Sequence, residues 1–231
     1  MKTIGMIGGM SWESTQTYYR LINTVVKDTL SGFHSAKCVL YSVDFHDIEA
    51  CQRSGDWEQL GNLLAEAAQC VEKAGADFII LCTNTMHKVI APLQAAVSIP
   101  FLHIADLTVE VLLASGIQKV ALLGTVYTME EDFYKARLAE KGLEVIIPEK
   151  AERDKISDII YNELCVGMIL PESKAYYLQV IDDLYRQGAQ GVILGCTEIG
   201  LLISEADTQV PLFDTAKIHA SEAARYALGA D

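Results

Sequence analysis

Residues 78–85 read FIILCTNT, and residues 191–198 read GVILGCTE. Each is a short apolar run of strand-forming residues that breaks into a polar turn carrying a cysteine and a threonine. Two further pairs behave the same way: IGMIGGM at 4–10 beside VALLGTVYT at 120–128, and IPFLH at 99–103 beside VPLFD at 210–214. The three offsets, 116, 113 and 111 residues, drift only as far as loop insertions and deletions would carry them. The chain therefore reads as an internal duplication.

Around these runs, short β-branched stretches alternate with longer amphipathic ones. KTIGMIGG precedes WESTQTYYRLINTVVKDTL, CVLYSVDF precedes DWEQLGNLLAEAAQCVEKAG, and DFIILCTNT precedes a helix from about Met86. IPFLHIAD, KVALLGT, LEVIIPEK, QGVILGCTE and VPLFDTA read as further strands, with helices over 153–166 and 171–187, the second opening on Pro-Glu-Ser. The alternation predicts an α/β protein of two pseudo-symmetric small domains, each a parallel sheet flanked by helices. The expected domains are 1–115 and 116–231, with a junction near 114–118 and the last helix free to pack back on the N-terminal domain. Ligands of such sheets sit beyond the carboxyl ends of the strands, so the expected active site is the cleft between the domains.

The chain has 231 residues, with 18 basic against 31 acidic side chains and a formal net charge of −13. That balance argues against a nucleic-acid backbone or an anionic membrane face as partner. The six cysteines, at 38, 51, 70, 82, 165 and 196, form neither C-x-x-C nor Cys/His pairs at zinc spacing, so no metal site is expected. The N-terminus has no apolar run of signal-peptide length and no stretch approaches a membrane span, which predicts a cytoplasmic protein with free thiols. Gly5-x-x-Gly8-Gly9 is not the dinucleotide fingerprint, no Walker sequence occurs, and neither a Schiff-base lysine nor a phosphate cup can be picked out. Nothing in the chain asks for a cofactor.

A gapless comparison of the two turns pairs Leu81 with Leu194, Cys82 with Gly195, Thr83 with Cys196, Asn84 with Thr197 and Thr85 with Glu198. The two cysteines do not correspond. With a glycine-rich opening GGMSWEST at 8–15, SVDF at 42–45, a first turn ending Asn-Thr-x-His and a second reading Gly-Cys-Thr-Glu, the chain resembles the cofactor-independent aspartate/glutamate racemases over essentially its whole length. The likeness is greatest to the L-aspartate/glutamate-specific racemase branch. That family usually has Cys-Asn-Thr in the first turn, where this chain has Thr83-Asn84-Thr85.

The resemblance implies an isomerase that interconverts L- and D-aspartate or glutamate by two-base proton transfer. Cys196 would act as base, because a thiolate is a strong nucleophile whose pKa a helix N-terminus can lower. Thr83 would act as the opposing acid and serve poorly as a base, so L-substrates would be favoured. Met10, Ser11, Gln52, Asn84, Thr85 and Thr197 would bind substrate, backbone N–H groups at the helix starts would hold its α-carboxylate, and Cys82, His87 and Glu198 are candidate helpers. Where some aspartate racemases offer a lysine to the distal carboxylate, Cys165 aligns; Arg53 and Lys174 are the cations left to consider. The implied partner is a small acidic amino acid, and the implied assembly a homodimer.

Each residue also has a plain structural reading. Thr83, Asn84 and Thr85 suit a helix cap, Cys82 and Cys196 suit packed thiols, His87 a satisfied core histidine, and Glu198 a first-turn acid favoured by the helix dipole. The competing functions are a noncatalytic amino-acid binder, and a related decarboxylase or hydantoin racemase.

Overall fold

A computed structural model describes residues 1–229. The chain divides into two compact units, one comprising 1–104 with the segment from His219 onward, the other Ala105–Ile218.

The first unit runs β1 (Ile4–Gly8), α1 (Trp12–Leu30), β2 (Cys38–Ser42), α2 (Phe45–Ser54), α3 (Trp57–Lys73), β3 (Phe78–Leu81), a 3-10 turn (Thr85–Val89), α4 (Ile90–Ala95) and β4 (Phe101–Leu102), followed by α5 (Ile104–Ala114). Its four strands are all parallel, in the order β2-β1-β3-β4. Burial of β1 and β3 on both faces explains why they read as continuous apolar runs. Ile7, Ile79 and Leu81 face a core completed by Leu60, Leu64, Ala67, Ala68 and Val71 of α3, residues spaced to line one side of a helix. Asp56 starts that helix by accepting the Gln59 N–H at 3.0 Å. Gly61 lets it approach α4, since a Cβ there would stand 3.0 Å from Pro92 Cγ.

The second unit takes in most of α5 and continues β5 (Lys119–Leu123), α6 (Val126–Glu130), α7 (Asp132–Glu140), β6 (Glu144–Ile146), α8 (Lys150–Asn162), a 3-10 turn (Leu164–Val166), α9 (Pro171–Arg186), β7 (Val192–Leu194), α10 (Ile199–Leu202), β8 (Leu212–Asp214) and α11 (Thr215–Leu228), whose later turns belong to the first unit. Its sheet is again parallel, in the order β6-β5-β7-β8. Two four-stranded parallel sheets flanked by helices are what the alternation predicted.

The duplication extends to residue register. Ile7 pairs with Leu81 in one sheet and Leu123 with Leu194 in the other; Ile80 pairs with Leu102, and Ile193 with Phe213. The next hydrogen bond repeats too: the Cys82 N–H reaches Ile7 O at 2.9 Å and the Gly195 N–H reaches Leu123 O at 2.6 Å. Backbone pairing thus sets Cys82 opposite Gly195, and the next step along each chain sets Thr83 opposite Cys196, as the gapless alignment does.

Three expected elements differ. The helix expected over 153–166 starts earlier, at Lys150, ends at Asn162, and is followed by a separate 3-10 turn at Leu164–Val166. IPFLHIAD is a strand only over Phe101–Leu102, because Ile104 already opens α5. The segment expected as a helix from Met86 begins as the tighter 3-10 turn at Thr85 and becomes α-helical at Ile90.

Candidate active site

In the first unit the residues singled out collect at the carboxyl ends of β1 and β3. Met10 and Ser11 are buried just beyond β1. Thr15 secures this turn: its Oγ1 accepts the Gly9 N–H at 2.8 Å and donates to Ser11 O at 2.8 Å. Gly9 has φ +93°, a conformation glycine adopts without steric cost. Gln52, buried on α2, directs Nε2 to Met86 Sδ at 3.6 Å.

Thr83, Asn84 and Thr85 are all buried, with Thr83 8% exposed. The structure adds a reason for the turn's shape. His87 Nδ1 lies 2.8 Å from Thr83 O, while the Ile104 N–H points at His87 Nε2 over 3.4 Å. Since Nε2 accepts, Nδ1 carries the proton and donates to the Thr83 carbonyl. His87 also packs edge-on to His103, ring centroids 4.3 Å apart. Close by, the buried His219 sits between Tyr18 OH, 3.0 Å from Nδ1, and Leu102 O, 3.0 Å from Nε2. Only an Nε2–H tautomer satisfies both bonds, so Tyr18 donates to Nδ1. Burial pulls the His219 pKa down to about 3, outweighing the bond to Leu102, so the ring is neutral.

Cys82, one residue before Thr83, is wholly buried, and burial alone pushes its thiol far above the ordinary range. Its counterpart Gly195 shows how tight the position is: a Cβ there would lie 2.7 Å from Leu123 O.

In the second unit, Cys196, Thr197 and Glu198 form the turn between β7 and α10. Cys196 is 7% exposed and Glu198 2%. The Cys196 thiol donates to Glu198 Oε2 at 2.9 Å, and Thr197 Oγ1 donates to the same oxygen at 2.9 Å. Burial, then the Glu198 charge and the nearby Cys165, raise the Cys196 thiol well above its usual value, and the Glu198 backbone N–H opposes only part of this. This corrects the expectation of an acidified thiol. The helix that follows has four residues, too short to build much of a dipole, and a carboxylate stands where a helix N-terminus was to act. Tyr177, buried beneath, donates to Ile156 O at 3.1 Å, and the Ser173 hydroxyl donates to Glu163 Oε2 at 2.5 Å.

The two cations considered for a distal carboxylate are engaged at the surface, Arg53 with Glu49 at 2.6 Å and Lys174 with Asp207 at 2.6 Å. Among the described residues, no group of three or more His, Cys, Asp or Glu side chains could hold a metal, and no helix is long and apolar enough to cross a membrane. Sequence reasoning missed Tyr18, His103, His219 and Tyr177, whose partners are distant in the chain. The one legible signal was that His103 ends the repeated motif IPFLH.

The sequence profile of the Asp/Glu/hydantoin racemases matches residues 7–223. The chain belongs to this racemase family. A curated relative is the broad specificity amino-acid racemase RacX of Bacillus subtilis, 27% identical over 163 residues that span 69% of each chain. Among solved structures, a Yersinia pestis protein proposed to be an Asp/Glu racemase is 55% identical, with TM-score 0.90 over 99% of this chain and 100% of its own. An aspartate racemase homologue from Pyrococcus horikoshii OT3 is 36% identical, with TM-score 0.85 over 99% and 100% of the two chains. The Picrophilus torridus aspartate racemase is 25% identical, with TM-score 0.81 over 98% of this chain and 94% of that one.

Proposed function

We propose that this family member racemises aspartate or glutamate without a cofactor, with Cys196 and Thr83 as the pair that exchanges the Cα proton. The observation that carries this reading is the repeated register: hydrogen bonds in each sheet make Cys196 and Thr83 equivalent positions of one duplicated turn. Inversion requires a proton to leave one face of Cα and another to arrive on the opposite face, a task suited to two copies of one turn. The family, and relatives named as amino-acid and aspartate racemases, support the reaction class.

Backbone N–H groups of Asn84, Thr85, Thr197 and Glu198 would receive the α-carboxylate as charge builds on it. The side chains of Asn84, Thr85 and Thr197, with Met10, Ser11 and Gln52, would complete the substrate contacts. Sulfur and oxygen are unequal partners. A thiolate removes a proton readily, whereas a threonine hydroxyl returns one to a strongly basic carbanion more readily than it takes one away. Cys196 as base and Thr83 as acid would therefore turn over L-substrates faster than D-substrates, leaving the equilibrium unchanged. Each enantiomer of aspartate and glutamate in D2O, followed by loss of the α-proton signal, tests this. Exchange from the L-forms that outpaces the D-forms supports the reading; equal rates refute the asymmetry, and no exchange with bound ligand points to a noncatalytic binder.

A further inference from the structure

A succession of directional hydrogen bonds runs through buried side chains of the first unit and ends on the carbonyl of Thr83. Tyr18 of α1 donates to Nδ1 of His219 on α11 at 3.0 Å, and His219 Nε2 donates to Leu102 O at 3.0 Å. Just beyond, the Ile104 N–H donates to His87 Nε2 over 3.4 Å, and His87 Nδ1 donates to Thr83 O at 2.8 Å. Between those two backbone groups His103 packs edge-on against His87, while Tyr18 meets His219 edge-on with ring centroids 5.7 Å apart. Tyr18 and His219 are fully buried, and His87 and His103 nearly so. A neutral imidazole has one proton to place, and this order of donors uses opposite tautomers, Nε2–H in His219 and Nδ1–H in His87. Apolar side chains would fill the same space without burying polar groups. What the polar network adds is direction, because each bond orients the next. Residues 102–104 are its middle link: one end is anchored to His219 and the other clamps His87. The chain also leaves the first unit after Ile104 and re-enters it at His219, so both crossings are tied to the turn that carries Thr83.

We propose that Tyr18 and His219 are positioning residues for the Thr83 hydroxyl: acting through residues 102–104 and His87, they hold the first turn in the shape that presents this acid to substrate. The inference rests on the racemase reading above. Tyr18 selects the His219 tautomer, because a ring that accepts at Nδ1 must carry its proton on Nε2, where it reaches Leu102 O. That bond sets where Leu102 O stands, and with it the His103 ring and the Ile104 N–H. Those two groups fix the His87 ring, whose Nδ1 proton restrains the Thr83 carbonyl and so the direction of the side chain on the same residue. The Cys196 thiol is bonded within its own turn, to Glu198. The network therefore bears on one half of the reaction. Loosening it impairs delivery of a proton to the carbanion and leaves formation of the carbanion largely intact.

Tyr18→Phe tests this with the ring kept and one hydroxyl removed. The first readout needs no substrate: solvent exchange of the His87 Nδ1 proton, followed by proton–nitrogen correlation NMR, should quicken about fivefold when the restraint of one hydrogen bond is lost. The second readout uses L-aspartate in D2O. Deuterium entry at Cα should stay within about twofold of the wild type, while the partition of product should shift about tenfold from the D-enantiomer towards deuterated L-aspartate, with little change in KM. A tyrosine that only packs would lower both products in proportion and leave His87 exchange as it was; either result overturns the proposal. If the variant does not fold, the wild type decides: long-range proton–nitrogen correlations should place the proton on Nε2 of His219 and on Nδ1 of His87, and the opposite tautomer in either ring overturns the proposal. Should the wild type exchange no Cα hydrogen, the racemase reading fails, and the His87 exchange rate still decides whether Tyr18 holds the turn.

Discussion

His219 offers a quantitative handle on the network behind the first turn. The ring is fully buried, neutral, and bonded through both nitrogens, with its pKa drawn down to about 3. In the unfolded chain the same ring titrates near 6.5. Below that value the unfolded state binds a proton that the folded state refuses, so stability falls as pH drops through about 6.5 and keeps falling towards 3. The slope approaches about 1.4 kcal/mol per pH unit, and between pH 7 and pH 5 the loss from this one ring is about 2 kcal/mol. Replacing it, as in His219→Gln, removes the titration. The variant should start about 1–3 kcal/mol less stable at pH 7, since the Leu102 carbonyl and Tyr18 hydroxyl lose well-placed partners. Its further loss on going to pH 5 should be smaller than that of the wild type by about 2 kcal/mol. Urea unfolding of both proteins at the two pH values measures this difference, and carboxylates common to both cancel. Parallel pH dependences would refute the claim that His219 is held neutral.

The remaining predictions concern the two turns. Gly195→Ala should cost about 1–3 kcal/mol in urea unfolding, because its Cβ would press on Leu123 O and Leu122 Cδ1 at 2.7 and 2.8 Å. Thr83→Cys should raise α-proton exchange from D-aspartate in D2O relative to that from L-aspartate; no gain, with activity lost instead in Cys82→Ser, would assign the acid to the neighbouring residue. His87→Phe removes the donor to Thr83 O while keeping a ring, and kcat should fall by about tenfold or more with KM nearly constant, since a displaced acid affects the transition state more than substrate binding.

Much of this architecture was readable because parallel strands buried on both faces leave unbroken apolar runs, as FIIL and VALL do, and because the duplication printed those runs twice. The gapless pairing of Thr83 with Cys196 could be derived from sequence for the same reason: hydrogen-bond register follows strand order one residue at a time. Short elements were harder. Two residues of β4 cannot be told from the helix that follows them, and the five-residue α6 has no period to detect. The protonation of Cys196 was misjudged because sequence shows that a thiol precedes a helix but not how long that helix is. Nor does it show that the side chain two residues on folds back to meet the sulfur. The His219 network was invisible because its partners, Tyr18 and the Leu102 carbonyl, lie far off in the chain and meet only in the fold.

Deuterium entry at Cα of enantiomerically pure L-aspartate and L-glutamate, compared among the wild type, Thr83→Val and Cys196→Ser, tests the central claim most directly. The account predicts that Cys196→Ser abolishes exchange from the L-enantiomer. It predicts that Thr83→Val still exchanges the L-form with retained configuration, because the thiol can return deuterium to the face it opened, while formation of the D-enantiomer stops. Continued racemisation in either variant would contradict it.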